Sequence, residues 1–262
     1  MKFILILFFN LLISTTVFAS AWIRQEGELF LSPSFYYQKA TKYYDKDGKR
    51  RSIECTFEKR EIQLYGEYGI DNKHTAVFKL PYIWLECGKS DTSGFGDLEL
   101  GLIRNAKKGE TDSLSLYGNL IVPTGYSIKD NPRLGYGRFA LEGGILYGIS
   151  GKWGFWDSGI GYRYYLGYPS SQIRAYGGGG INITQKVQLL AFLDAQIGLG
   201  DGKRKKIGGN ILLEPNYKLV QINLAPRIKF GNISLVPGYQ RTLYGRKVGD
   251  AHGFFFNFWF NF

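Results

Sequence analysis

The chain has 262 residues, with 19 Tyr, 19 Phe and 35 Gly against 8 Pro and 1 Met, and a formal net charge of +11. Aromatic, glycine-rich composition at this length points to one large sheet domain rather than a helical or multidomain chain. With two Cys and two His, no cluster has zinc-ligand spacing, and no apolar run beyond Ser20 is long enough for a membrane helix.

Taken in chain order, Met1-Lys2 is a short basic start and residues 3–18 are mostly apolar. Val17-Phe18-Ala19 and Ala19-Ser20-Ala21 both fit the small-x-small cleavage rule. Residues 1–21 therefore read as a signal peptide, cut after Ala19 or Ala21, with 22–262 as one domain. From Leu29 onward, apolar residues recur at alternate positions, which share one face of a strand. Leu29, Leu31, Phe35 and Tyr37 mark the first segment. Ile62, Leu64, Tyr68 and Ile70 mark the second, closed by a tight turn at Asp71-Asn72-Lys73. Ala76, Phe78, Leu80, Tyr82 and Trp84 follow. Nine further segments lie at 97–102, 114–122, 138–147, 156–164, 173–183, 188–197, 221–228, 233–240 and 254–262. In the last, Phe254, Phe256, Phe258, Phe260 and Phe262 share one face, while Asn257 and Asn261 lie on the other.

Connections alternate in length. Short ones fall near 71–73, 107–112, 149–151, 184–186 and 231–232; long ones fall near 39–54, 86–93, 124–136, 200–215 and 244–250. Only the link at 167–170 is short where a long one is expected. Lipid on one face, a wet lumen on the other and alternating loop lengths predict an all-β, transmembrane, antiparallel up-and-down barrel of about twelve strands. Closure removes the sheet edges that lipid could not satisfy. Aromatic girdles are expected at both interfaces. Trp84, Phe95, Tyr126, Tyr136, Tyr164, Tyr168 and Tyr244 would form one, and Tyr68, Tyr147, Trp153, Trp156, Phe230 and Phe262 the other.

The lumen face collects Glu61, Glu67, Asp97, Glu99, Glu142, Asp157 and Asp194 against Lys79, Arg138, Arg163, Arg174, Arg227 and Lys229. So nearly balanced a set predicts ion pairs bracing a narrow lumen, open or plugged. The excess positive charge then lies outside. Lys46, Lys49, Arg50 and Arg51 crowd the first long loop, and Lys203, Arg204, Lys205 and Lys206 form a run in another. For an exported barrel, lipopolysaccharide phosphates are nearer anions than nucleic acid, which is not expected as a partner.

Cys55 and Cys87 lie at equal distances from Asp71, and antiparallel residues equidistant from a turn face each other. A disulfide is therefore expected, pinning the base of the 39–54 loop to the next strand. His74 and His252 fall at opposite ends of the barrel, and only Asp250 lies near His252, which is thin support for a hydrolase site. Tyr176-Gly-Gly-Gly-Gly-Ile-Asn182 sits within a strand with no helix to follow, which excludes a phosphate loop.

The stretches SGFGDLELG (93–101), VPTGY (122–126), PRLGYG (132–137) and RTLYGR (241–246) resemble a family of Gram-negative outer-membrane barrels often labelled phenol-degradation-pathway or transporter-like. The resemblance implies an outer-membrane location and transport of a hydrophobic solute. The terminal Phe262 resembles the signal that such barrels present to their assembly machinery. The leading expectation is a passive channel for small hydrophobic or anionic solutes, with no catalysis, cofactor or metal. A structural or surface-interaction barrel whose basic loops bind polyanions is the alternative, and an outer-membrane hydrolase comes last.

Overall fold

The computed structural model describes residues 20–200, 205–207, 211–213 and 216–262. Residues 1–19 of the expected 1–21 leader, Lys203, Arg204 and the side chains of Lys205 and Lys206 lie outside the described residues. Twelve strands form the wall. They are β1 (Leu29–Tyr44), β2 (Arg50–Gly69), β3 (His74–Cys87), β4 (Leu98–Lys108), β5 (Asp112–Val122) and β6 (Ala140–Gly151). The second half is β7 (Gly154–Tyr165), β8 (Gln172–Asn182), β9 (Val187–Gly198), β10 (Lys218–Phe230), β11 (Ile233–Arg246) and β12 (His252–Asn261). Each pairs antiparallel with its sequence neighbours. β12 pairs back on β1 with Phe35 opposite Phe256. Phe262 N donates to Leu29 O at 2.9 Å, and Leu29 N to Phe262 O at 3.2 Å, so the sheet closes on itself.

The period of two decides the two faces. Outward residues include Ile62, Leu141, Ile160, Leu189 and Phe254, each about half exposed, in a continuous apolar band around the wall. A soluble protein seldom leaves so much apolar surface uncovered, whereas a bilayer covers it. The Phe ladder faces outward as expected, with Phe255 and Asn257 inward.

Three predicted loops are instead largely paired strand. Residues 39–54 are mostly strand, with Lys39 opposite Glu58 and Tyr43 opposite Arg51. The turn is only Asp45–Lys49, where Asp45 Oδ1 accepts from the amides of Asp47 and Lys49. Residues 86–93 form a hairpin: Gly88, at φ 65°, turns the chain into a short strand Ser90–Phe95 that folds back on β3. Near 244–250, Val248 and Gly249 pair with Tyr44 and Tyr43 of β1. The apolar outward signal stops where the wall leaves lipid, but backbone pairing does not need it.

The disulfide is present, with Cα atoms of Cys55 and Cys87 5.4 Å apart. Phe57 pairs with Cys87, which centres the hairpin on Asn72 rather than Asp71. Since 39–54 is not a loop, the bridge fastens the projecting wall of β2 to the end of β3.

Candidate functional site

The lumen is organised in three levels. At the long-loop end, the connection between β5 and β6 turns into the barrel. Leu134 and Tyr136 are buried against inward residues of the wall, among them Ile83, Leu85, Ile121, Tyr165 and Leu219. The Tyr136 ring meets Tyr165 and Tyr168 edge-on at 5.5 and 5.9 Å. Polar anchors hold the loop in place. The Tyr126 hydroxyl donates to Asp97 Oδ1 at 2.5 Å and accepts from Gly137 N at 2.8 Å. Thr124 Oγ1 donates to Phe95 O at 2.9 Å. Burial and the Asp97 carboxylate hold the Tyr126 phenol well above its usual range, so it remains a donor. A Cβ on Gly135 would overlap the Tyr126 hydroxyl, so the loop requires glycine there. Tyr126, Tyr136 and Tyr168, expected in a lipid girdle, therefore belong to an internal seal. Three of the four family-like stretches, 93–101, 122–126 and 132–137, meet in this one structure.

Below the seal is a belt of charge. Lys79 Nζ reaches Glu99 Oε1 at 2.5 Å, and Arg163 Nη2 reaches Glu99 Oε2 at 3.1 Å. Arg163 Nε and Arg174 Nη1 both reach Glu142 Oε2, at 2.5 and 3.3 Å. The Tyr117 hydroxyl donates to Glu142 Oε1 at 2.9 Å. Glu61 pairs with Lys59, a partner that the sequence reading missed, at 2.5 Å. These groups sit at inward positions of successive strands, which is why the alternation brings them together. Paired and hydrogen-bonded, they avoid the penalty of isolated buried charge. Asp194 accepts from Gln196 Nε2 at 3.2 Å. Arg138 and Lys229 stand apart, half-buried and with no ion pair among the described residues.

The third level, at the short-turn end, is a cavity of about 450 Å³. Phe30, Tyr36, Phe155, Phe192, Phe255 and Trp259 line it, with Arg227 among them. The Arg227 guanidinium lies 4.7 Å from the Trp259 ring. Its Nε donates to Ser234 Oγ at 3.1 Å and its Nη1 to Gln188 Oε1 at 3.2 Å. Residues 20–26 cross the lumen beside the cavity as a strap. Ser20 Oγ donates to Asp157 Oδ2 at 2.8 Å, and Ser113 and Ser115 donate to the carbonyl of the fully buried Ala21. Farther along, Arg24 Nε reaches Glu67 Oε2 at 2.6 Å, and Arg24 N donates to Thr75 Oγ1 at 2.9 Å.

Sequence reasoning found the inward charges and missed the inward rings. A signal for them existed. Phe255 pairs directly with Gly238, Tyr176 with Gly159, Phe192 with Gly178, Phe155 with Gly180 and Tyr117 with Gly144. In each pair the ring lies over the bare glycine; a Cβ on Gly238 would come within 2.1 Å of the Phe255 ring. Cross-strand aromatic–glycine pairs let rings lie flat on the wall and leave the lumen open. Much of the glycine-rich stretch at 176–182 is explained this way.

The remaining predicted residues fall elsewhere. His74 hydrogen-bonds Asp71 at the first short turn, and that bond holds the Asp71 carboxyl below its usual range. His252 Nδ1 stands 3.2 Å from Arg241, and Asp250 is engaged by Arg50 and Arg241. Arg51 pairs with Asp45. Of the first basic cluster, Lys46 and Lys49 are exposed without an ion pair among the described residues. Phe262 is well exposed at the barrel rim.

No family model and no curated protein matches the chain. Among solved structures, the COG4313 outer membrane channel from Pseudomonas putida F1 is similar over 94% of this chain and 99% of that one, with a TM-score of 0.75 at 17% identity. The NanC porin is similar over 87% of this chain and 97% of that one, with a TM-score of 0.53 at 9% identity. At these identities the likeness concerns the fold.

Proposed function

We propose that this chain is a passive channel of the Gram-negative outer membrane for small solutes with a hydrophobic part. The observation that carries this reading is the ring-lined cavity inside a closed transmembrane wall, with the charge belt and beyond it a loop on one side and a strap on the other. Both boundaries are held by side-chain contacts, so both can move without breaking the sheet. The likeness in fold to a channel and a porin supports the reading, as do the family-like stretches that converge on the outer seal. Ring walls favour apolar solute groups, since burial is worth about 25 cal/mol per Å² of apolar surface. The basic-loop alternative has less support, because Arg50 and Arg51 are already engaged by carboxylates. Planar-bilayer recording and liposome swelling on refolded protein test the proposal. Discrete openings and uptake of small aromatic solutes are expected; a silent bilayer with impermeant liposomes would reject it.

A further inference from the structure

We infer that the inner cavity binds a small aromatic carboxylate, a single ring carrying one acid group; this rests on the channel reading for the solute's presence in the lumen. Volume admits it: a dry cavity of about 150 Å³ is enough for benzene, so 450 Å³ takes a substituted ring with some water. The walls supply ring contacts from Phe155, Phe192, Phe255 and Trp259.

The acid group is chosen by Arg227. The cavity's other cation, Arg24, is already on Glu67, whereas Arg227 has only the neutral Ser234 and Gln188 as hydrogen-bond partners and no carboxylate among the described residues. Those bonds fix the guanidinium and leave donors of its fork available to a bidentate carboxylate. A donor of the same cavity, Trp259 Nε1, is buried without a hydrogen-bond partner. A neutral arene would leave the Arg227 and Trp259 donors unmet, and an aliphatic anion would leave the rings uncovered. The cavity's own acids do not compete for Arg227: Glu67 is held by Arg24 and the Tyr65 hydroxyl, and Asp157 by Ser20, the Ala21 amide and Tyr176.

Calorimetric titration of the refolded protein with benzoate, benzyl alcohol and acetate tests the inference. Benzoate is expected to bind about tenfold or more tighter than either, the worth of a hydrogen bond to a charged group. Arg227→Gln should bring benzoate down to the level of benzyl alcohol and leave benzyl alcohol unchanged. Trp259→Phe, which keeps a ring and removes the N–H, should weaken benzoate alone, and heat-modifiable gel migration checks that both variants fold. Benzoate binding no tighter than benzyl alcohol, or indifferent to Arg227→Gln, overturns the site. Bilayer openings without benzoate preference would reject this site and keep the channel; benzoate binding in a silent barrel would do the reverse.

Separate contacts decide between the two leader cleavage sites, and the geometry points to Ala19–Ser20. Hydrolysis there adds water across the peptide bond, leaving a carboxylate on Ala19 and an α-ammonium on Ser20. That ammonium starts beside Asp157, whose Oδ2 already accepts from Ser20 Oγ and the Ala21 amide. A cut after Ala21 would remove both donors and strip Ser113 and Ser115 of their shared acceptor. N-terminal sequencing of protein purified from outer membranes should read serine first. Tryptophan, or an uncut methionine, overturns the assignment.

Discussion

The two closures of the lumen differ in how much apolar side chain they bury. The outer one is a small apolar core: Leu134 and Tyr136 are enclosed by inward side chains of the wall and braced by the Tyr126–Asp97 bond. The inner one is a single strap held by hydrogen bonds and an ion pair through Ser20, Ala21 and Arg24, with Ala21 and Ile23 also packed on the apolar cluster of Phe30, Tyr65, Val77, Ile103 and Leu146. Expelling the loop exposes buried side chains worth about 1.5–3 kcal/mol each. Releasing the strap trades individual hydrogen bonds, each worth about 0.5–1.5 kcal/mol net, for bonds to water, and exposes only the small Ala21 and the partly buried Ile23. The strap is therefore the easier closure to open, and the cavity communicates more readily with the short-turn side.

The comparison breaks most visibly at the outer seal. Leu134→Ala removes most of a buried side chain from the seal, a cost of about 2–5 kcal/mol, so the loop's open population should rise by about a hundredfold. Trypsin cutting after the half-buried Arg133 should then be faster than in the wild-type loop; an unchanged rate would show that the loop is not held by its apolar contacts. A smaller effect is expected at the strap. Arg24→Ala removes a charge-assisted bond worth about 1.5–3 kcal/mol and should speed maleimide labelling of a Trp22→Cys reporter by about tenfold. Trypsin resistance of the loop should not change. If both readouts moved together, the two closures would be one cooperative unit and the contrast would fail.

Between the closures, Gly238→Ala sharpens the picture. The new Cβ would drive the Phe255 ring into the cavity, and benzoate affinity should fall about severalfold while both closures stay shut, the expected cost of overpacking. The smallest effect on the closures belongs to Cys55→Ser with Cys87→Ser. The bridge constrains the unfolded chain, so its loss should cost about 2–4 kcal/mol of global stability, but it touches neither closure. Neither trypsin cutting nor labelling should respond.

The twelve strands could be read because lipid imposes a rule on every second residue, and Ile62, Leu141 and Phe254 obey it. The lumen charges followed from the other half of that alternation. The rule falls silent outside the bilayer, which is why the paired run from Lys39 to Tyr44 passed for loop. It also cannot say whether a loop turns inward. Tyr126, Tyr136 and Tyr168 sit at strand ends in the sequence, and only their burial places them within the barrel. Arg24 and Lys59 were missed for a related reason: one precedes the first strand, and the other lies where the wall has left lipid.

The first hairpin has a use of its own. A strand of about 9–11 residues spans a membrane, yet β2 has 20, so much of the hairpin stands clear of the bilayer as a stiff blade. It is fastened by the Cys55–Cys87 bridge and by Arg50 to Asp250, and its tip, at Asp47-Gly48, lies outside both seals and the cavity. Foreign sequence spliced into that tip would be carried on a fixed mast, which makes this chain a ready scaffold for peptide display and for antibody-based mapping of its own topology.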